Sequence, residues 1–232
     1  MGPNFPLKNR FLTFKFKRCI IKMTNGSGVR MGKKETTEEK IISAAIREFN
    51  SFGYEGANTN RIAELAGVSK GTVFLRFGTK INLYCSCLER IMRTFEEGAK
   101  KIDFSGGKDI FDKLDMFVRF KLRFFEKYKE ESKFILNNYL ATKVNEELSE
   151  KCLPILMKNN LQIRDSVFNS DFDLSGYKPG LTYQKIFGYI DLVLSGFNAR
   201  FERYSSYEDF PFDKLVEEWT DIISALKFGI MK

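Results

Sequence analysis

The residues between Thr59 and Lys80, TNRIAELAGVSKGTVFLRFGTK, carry the clearest chemical signal in this 232-residue chain. Four basic side chains and only one acidic side chain lie on this short segment, together with several hydroxyl groups. Ammonium and guanidinium groups contact phosphates, and hydroxyl groups can hydrogen-bond to the edges of bases. The segment therefore indicates binding to a nucleic acid through its outer side chains.

Catalytic chemistry has little support in the sequence. The chain contains no histidine, which removes His-based triads and the commonest metal ligand. Its cysteines form no CxxC pair, and no glycine-rich phosphate loop is present. We expect reduced thiols at Cys19, Cys85, Cys87 and Cys152. We therefore predict no enzyme activity, no metal and no cofactor; a helical enzyme with a DNA-binding appendage is the alternative.

Two short helices must position the outer side chains of this segment. We expect Thr59 to cap the first helix, because its hydroxyl can accept from a free backbone N–H. The apolar face of that helix comprises Ile62, Ala63, Leu65 and Ala66. Gly67 suits the left-handed residue after a helix end, and Ser69 can cap the next helix. Val73 and Phe77, spaced i and i+4, form its buried face. This pattern indicates a helix-turn-helix, and the alternative is an ordinary helical hairpin with a basic face.

Residues 37–90 resemble the DNA-binding domain of TetR-family transcriptional regulators. That family combines an amphipathic first helix with fixed residue types in and after the helix-turn-helix. The matching residues of this chain are Ile41, Ala44, Ala45, Phe49, Gly53, Tyr54, Thr59, Ile62, Ala63, Ala66, Gly67, Val68, Ser69, Gly71, Thr72, Phe74, Phe77 and Lys80. The resemblance covers about a quarter of the chain, and the remainder matches only in length and helical character.

The resemblance implies that one face of this domain contacts DNA. The implied contact residues are Thr59, Asn60, Arg61, Ser69, Lys70, Gly71, Thr72, Phe74, Leu75, Arg76 and Lys80. Thr59 and Lys80, at the starts of the second and fourth helices, would contact phosphates. Those that would face the bases are Lys70, Gly71, Thr72 and Leu75. Phe74 stands where the family often has Tyr, so one hydroxyl contact is missing. Arg76 stands where His is common and can still hold a phosphate.

The amino-terminal 34 residues differ in charge from the rest of the chain. Residues 1–34 contain nine basic residues and no acidic residue, whereas residues 35–232 contain 29 basic and 30 acidic residues. Three interpretations remain open: a basic arm that grips DNA, a targeting segment, or upstream sequence joined by a mis-assigned start codon before Met31 or Met23. Non-specific nucleic-acid binding through this extension is a further alternative for the function.

The apolar periodicity predicts an all-α fold. We expect a basic extension over 1–34 that is disordered or precedes the native start, and a three-helix helix-turn-helix domain over 35–80. A helical ligand-binding and dimerisation domain would follow over 81–232, entered through a connecting helix at 80–101. The predicted helices outside the motif span 37–52, 80–101, 109–129, 132–142, 145–168, 180–204 and 211–228. No apolar run reaches the length of a membrane span.

The last two predicted helices are more hydrophobic than one subunit needs to cover itself, which favours a subunit interface. The resemblance implies the same, because these helices form a four-helix bundle with their symmetry mates in that family. The expected interface residues are Tyr189, Val193, Gly196, Phe197, Leu215, Trp219, Ile222 and Leu226. The alternative is that both helices are buried within one subunit.

The resemblance also places an inducer pocket in the carboxy-terminal domain, and such pockets are largely apolar with a few polar groups. Polar residues inside apolar stripes are the candidates: Lys121, Asn138, Tyr139, Asp191 and Asn198. The alternative is that this Phe-rich region is only core. The sequence thus predicts a cytoplasmic, homodimeric, ligand-responsive regulator of a palindromic DNA operator. We expect a repressor, released when a largely apolar small molecule shifts the population of conformers, and activation remains open.

Overall fold

The computed structural model describes residues 35–142, 145–168, 173–200, 207 and 209–232. Glu35–Lys232 form one compact unit, and the basic extension Met1–Lys34 lies outside the described residues. The helices are α1 (Thr37–Gly56), α2 (Thr59–Ala66), α3 (Lys70–Phe77), α4 (Lys80–Ala99), α5 (Ile110–Lys127), α6 (Lys129–Ala141), α7 (Glu146–Phe168), α8 (Tyr183–Asn198) and α9 (Phe212–Ile230). Within the described ranges the only extended pairing is a single bridge between Tyr177 and Met231. The predicted all-α class is confirmed.

Helix α1 begins at a capping box and is interrupted by a glycine. The Thr36 hydroxyl accepts a hydrogen bond from the backbone N–H of Glu39, whose carboxylate accepts one from the backbone N–H of Thr36. Gly53 has φ 67° and ψ 178°, so the regular helix stops there and a short helical turn follows. The predicted end at Gly53 therefore marks a real break, although helical structure resumes as far as Gly56.

The corner between α2 and α3 forms as its residue types predict, with two corrections. Gly67 has φ 67° and ψ 36°, and the Ser69 hydroxyl accepts from the backbone N–H of Thr72. The cap of α2, however, is Asn58 rather than Thr59, because the Asn58 side chain accepts from the backbone N–H of Asn60. Leu65 is also not part of the buried face, since 53% of it is exposed.

A first hydrophobic core joins α1–α4 to α6 and α7. The Phe49 ring lies 4.8 Å from that of Tyr84, and the Tyr84 ring lies 4.7 Å from that of Phe134 on α6. Leu148 and Cys152 of α7 are buried in the same cluster. Helices α1 and α4, which flank the helix-turn-helix, are therefore packed directly on α6 and α7. Within the described residues, Cys85, Cys87 and Cys152 are free thiols.

A second core is built by α5, α8 and α9 around Trp219. The Trp219 ring lies 5.1 Å from that of Phe197, and its indole Nε1 donates to Asp115 Oδ1 at 3.0 Å. Phe197, Leu215 and Trp219 are at most 2% exposed in the single chain. The prediction that these three residues face a partner subunit is therefore wrong, because they fill the interior of their own subunit.

Most predicted helices are present with shifted ends. Helix α8 begins after the cap Thr182, about three residues later than expected, and its last helical residue is Asn198. Residues 201–206, which belonged to the predicted helix, lie outside the described part of the chain. Pro154 lies within α7. Among the described residues, the helices are too short or too polar to cross a membrane.

Candidate nucleic-acid interface

The eleven residues predicted to contact DNA all lie at the surface of the protein. Thr59, Arg61, Thr72 and Lys80 are half-buried, and the other seven are exposed. They belong to α2, α3 and the first turn of α4, which the first core holds together through Ile62, Val73, Phe77 and Ile81. Local sequence thus places the contact residues on the short helices, and the core orients those helices relative to each other.

Helix α3 presents its unburied face to solvent. Val73 and Phe77 are buried, whereas Phe74 is 70% exposed and Leu75 is 86% exposed. The Thr72 hydroxyl lies 2.9 Å from the Ser69 hydroxyl, so the cap and a predicted base-contacting residue share a hydrogen bond. A short helix with one packed face and one free face can enter a major groove.

A cleft of about 490 Å³ lies beside α3 and brings two helix starts together. The residues that line it include Asn58 and Thr59 at the start of α2, Thr79 and Lys80 at the start of α4, and Lys70 and Phe74 of α3. Unpaired backbone N–H groups and the helix dipole make a helix amino terminus favourable for anions. Two such ends beside a cationic helix provide a surface suited to a phosphate backbone.

Arg61 is held by the protein itself. Its Nε donates to Glu48 Oε1 at 2.8 Å, its Nη2 donates to the Gly56 carbonyl at 2.9 Å, and its guanidinium lies 4.2 Å from the Phe52 ring centre. The same Glu48 oxygen accepts the backbone N–H of Asn58 at 2.9 Å. Arg61 therefore braces the start of α2 against α1, a role that the sequence-based prediction of a DNA contact did not include.

Glu48 is the functional neighbour that sequence reasoning missed. Only 2% of it is exposed, and burial opposes its ionisation, but hydrogen bonds from Arg61 and Asn58 outweigh burial and lower its pKa. A signal was present in the sequence, since position 48 continues the apolar stripe of Ile41 and Ala45 at helical spacing. A carboxylate on such a stripe must find a donor.

Lys80 also contacts α1 in this structure. Its Nζ donates to the carbonyls of Glu55 and Ala57 at 3.1 and 3.4 Å, and it lies 4.8 Å from the Tyr54 ring centre. The ammonium thus satisfies carbonyl groups at the end of α1, close to the start of α4. It remains half-buried at the rim of the cleft, where a phosphate would lie within its electrostatic reach.

The ligand candidates in the carboxy-terminal half fall into different environments. Lys121 on α5 donates to Asn198 Oδ1 at 2.8 Å, so two candidates from separate helices meet. Burial lowers the pKa of Lys121 to about 8. Asp191, by contrast, is exposed on the surface of α8, so the structure does not support it as part of an interior pocket. The side chain of Tyr139 lies outside the described part.

Among the ligand candidates, Asn138 has buried polar atoms that lack a hydrogen-bond partner. Its side chain is fully buried, and neither its amide nitrogen nor its oxygen has a hydrogen-bond partner. Each unsatisfied buried polar group costs about 1–3 kcal/mol, so such a residue calls for an explanation. A polar group of a bound molecule would provide one.

The remaining predicted interface residues of α8 and α9 are either exposed or packed, partly buried, against the second core. Tyr189 and Gly196 are exposed, and Val193, Ile222 and Leu226 are half-buried. Two large apolar residues that were not predicted, Leu192 and Phe228, are 70% and 86% exposed. The outer faces of α8 and α9 therefore carry apolar side chains that the chain itself leaves uncovered.

The structure has a helix-turn-helix at its surface and further helices that support it. This arrangement is typical of helix-turn-helix regulatory proteins. Residues 41–85 match the family model of bacterial regulatory proteins, tetR family. The chain is 31% identical over 125 residues to the HTH-type transcriptional regulator RutR of Escherichia coli, which covers 51% of this chain and 57% of RutR. The chain thus spans little more than half the length of that relative. The similarity to TetR-family regulators therefore lies mainly in the amino-terminal part of the chain, which carries the helix-turn-helix.

Two further comparisons extend over more of the chain. The fatty acid metabolism regulator protein of Bacillus subtilis is 26% identical over 178 residues, covering 75% of this chain and 90% of that protein. The fold resembles that of the transcriptional regulator FadR from Bacillus subtilis in complex with stearoyl-CoA, with a TM-score of 0.56, 24% identity, and coverage of 81% of this chain and 96% of FadR. Both of these similar proteins are named as regulators, which agrees with the regulator that the sequence predicts.

Proposed function

We propose that the protein is a transcriptional repressor that binds a palindromic DNA operator as a homodimer and is released by a small-molecule inducer. The observation that carries the proposal is the free face of α3, which is flanked by the starts of α2 and α4 on one cleft. This arrangement offers a helix for the major groove and two amino termini for the adjoining phosphates. A dimer would present two such surfaces, so each operator half would have the same sequence.

Support for the dimer comes from the outer faces of α8 and α9. Exposed Tyr189, Leu192 and Phe228 are large apolar groups that a subunit contact would remove from water. A two-fold axis brings the same surface of both subunits together, so one apolar surface per chain is sufficient. Phe197, Leu215 and Trp219 support this contact from inside the subunit by fixing α8 against α9.

Support for a largely apolar ligand comes from the Phe-rich interior and from one pair of relatives. The rings of Phe95, Phe120 and Phe124 lie within 6.2 Å of their neighbours and form an apolar cluster beside Lys121 on α5. The similar Bacillus subtilis protein is named for fatty acid metabolism, and FadR holds stearoyl-CoA. We therefore propose an acyl compound, whose polar end would meet Lys121, Asn138 or Asn198.

The release mechanism we propose uses the shared first core. Phe134 of α6 packs on Phe49 and Tyr84, and Arg90 of α4 pairs with Glu131 of α6 at 3.1 Å. A ligand that prefers one arrangement of α6 would change the position of α1 and α4 in the same step. The two DNA-reading surfaces of a dimer would then no longer match the spacing of the operator halves.

Selection of bound sequences from a random DNA library with the full chain tests DNA recognition. We expect an inverted repeat and a short symmetric footprint. Thr72→Ala should change the preferred sequence, whereas Lys70→Ala and Lys80→Ala, which remove charges that line the cleft, should weaken binding to all sequences. Binding without a preferred site would contradict the proposal and would favour non-specific contact through the basic extension.

Release of the selected DNA by stearoyl-CoA tests the ligand. We expect the complex to dissociate with stearoyl-CoA and to persist with acetyl-CoA, which has the same carrier but no long apolar chain. Lys121→Met should raise the stearoyl-CoA concentration required, while the exposed-surface variant Lys101→Met should leave it unchanged. If stearoyl-CoA neither binds nor releases the DNA, the acyl class is wrong, and the operator result stands by itself.

A further inference from the structure

The ridge of α3 that points away from the core carries no long hydrogen-bonding side chain. Successive residues of an α-helix are 100° apart, so the direction opposite to Val73 and Phe77 is that of Leu75. Gly71 and Thr72 lie on either side of this direction. The exposed fractions agree, since Val73 and Phe77 are 4% and 8% exposed and Leu75 is 86% exposed. The centre of the ridge therefore consists of a glycine, a threonine methyl group and a leucine.

The polar groups of α3 are displaced from this ridge or already engaged. Lys70 lines the cleft between the helix starts and so lies towards the phosphate-binding side. Arg76 lies on the opposite flank by the same helical geometry. The Thr72 hydroxyl shares a hydrogen bond with the Ser69 hydroxyl at 2.9 Å, so it already has a partner within the chain. The flanks thus carry charge, while the centre is apolar.

Base pairs differ in the major groove by their hydrogen-bonding groups and by one apolar group, the C5 methyl of thymine. Arginine and lysine recognise guanine, and asparagine and glutamine recognise adenine, by paired hydrogen bonds. None of these side chains stands at the centre of the ridge. Thymine is the base whose distinguishing group matches an aliphatic side chain.

We propose that Leu75 is a specificity-determining residue that reads a thymine in each operator half by packing against its C5 methyl group. The methyl group of Thr72, one turn before Leu75, completes the apolar contact. Leu75 is exposed to water in the free protein. Contact with thymine would remove its methyl groups from water, and this burial would favour binding. The proposal rests on the proposed function, because it requires α3 to lie in a major groove.

Replacement of single thymines by uracil tests the contact, because uracil lacks only the methyl group. The operator is first selected with the full chain, and we expect a T·A pair at one fixed position of each half. Uracil at that position should weaken binding about 4-fold per half-site, the factor that corresponds to one buried methyl-sized group at ~0.8 kcal/mol. Cytosine there should weaken binding further, and 5-methylcytosine should recover part of the loss.

The Leu75→Ala variant assigns the effect to this side chain. In that variant the affinities for thymine and uracil operators should become equal within about 1.5-fold. Leu65→Ala, which shortens an exposed leucine on α2, should keep the full difference. Uracil without effect, or an equal uracil effect in wild type and Leu75→Ala, would overturn the proposal. A library from which no sequence is selected would instead contradict the proposed function, so the two failures are distinguishable.

Discussion

The charges of Arg61 and Lys80 are directed at the protein's own α1. Arg61 donates to Glu48 and to the Gly56 carbonyl, and Lys80 donates to the carbonyls of Glu55 and Ala57. Each cation therefore holds the start of one DNA-facing helix against the end of α1. The proposed contact with DNA and the stability of this surface would depend on the same side chains, and stability measurements without DNA separate the two roles.

Glu48→Gln should destabilise the protein by about 1–3 kcal/mol, because the buried position would keep a hydrogen-bonding group but lose the charge that Arg61 requires. The lowered pKa of Glu48 means that its contribution is fully present above its ordinary pKa of 4.5 and is lost as pH falls through the lower folded value. Urea unfolding at pH 7 should show the difference in free energy of unfolding between Glu48→Gln and wild type. That difference should become smaller at acid pH. Glu64→Gln, at an exposed site of α2, is the control and should change stability by less than about 0.5 kcal/mol.

Lys80→Met should lower the free energy of unfolding by about 1–2 kcal/mol even without DNA, because two carbonyls at the end of α1 lose a charged donor. Methionine keeps most of the length of the side chain without its charge, so packing changes little. Lys70→Met removes an exposed charge from α3 and should leave thermal unfolding nearly unchanged. Equal melting temperatures for the two variants would show that Lys80 has no structural role.

Lys121 should make the free energy of unfolding vary with pH in the alkaline range. Burial lowers its pKa to about 8 from an ordinary value of 10.5, so the unfolded chain binds more protons between these values. The free energy of unfolding contributed by this group should therefore rise with pH from about 8 to 10.5. Lys121→Met should lack that rise in urea titrations at pH 7.5 and 9.5, and exposed Lys101→Met should retain it. If the free energy of unfolding of Lys121→Met and of wild type depended on pH in the same way, the lowered pKa of Lys121 would be contradicted.

The helix-turn-helix depends on backbone conformations that few residues adopt. Gly67 has φ 67°, and Ser69 supplies the cap that starts α3 two residues later. These local features set the angle at which α3 leaves α2, and Val73 and Phe77 then fasten α3 to the first core. The orientation of the DNA-reading face is thus determined jointly by a turn and by two buried side chains.

Gly67→Ala should destabilise the protein by about 1–2 kcal/mol, although the structure has open space around the added methyl group. The cost arises from the left-handed backbone rather than from a clash. Gly71→Ala is the matched change, because Gly71 lies in α3 with ordinary helical φ and its nearest neighbour would be the Ser69 hydroxyl oxygen at 3.8 Å. It should stabilise the free protein by up to about 1 kcal/mol. Thermal unfolding of both variants measures the difference, and equal effects would contradict it.

The described part of the molecule contains two large cores, and Phe95 of α4 and Phe124 of α5 belong to a smaller third cluster. The first core includes the DNA-facing helices together with Phe134 and Leu148, and the second surrounds Trp219. Asn50 of α1 also donates to the Glu130 carbonyl of α6 at 2.9 Å. Because the reading surface and α6 share one core, a rearrangement in the carboxy-terminal half must repack the helices that support α3.

Leu192→Glu should convert a dimer into a monomer, because a charge would replace an apolar group that is 70% exposed in the single chain and lies on the outer face of α8. Folding should be preserved, since Leu192 is not in the core. Light scattering after size exclusion measures the mass. Leu75→Glu alters a leucine of similar exposure on α3 and should remain dimeric. A monomeric wild type, or an unchanged mass for Leu192→Glu, would contradict the proposed interface.

The helix-turn-helix and the all-α class follow from local residue types and spacing. Gly67, Ser69, Val73 and Phe77 act through their own backbone preferences and through neighbours within one or two turns, so their types and spacing were sufficient. The break at Gly53 was predictable for the same reason. Asn58 was missed as a cap because Thr59, the next residue, has an equally suitable side chain.

Contacts between distant parts of the chain determine which apolar and charged side chains are buried and which are exposed. Trp219 is buried in the second core, and Asp115, 104 positions earlier, accepts its indole N–H; no local pattern distinguishes that outcome from a subunit contact. Contacts with other helices likewise determine that Glu48 is buried, and their absence leaves Leu65 exposed. Periodicity shows that a helix has an apolar face, but contacts between residues far apart in the chain determine which surface covers it.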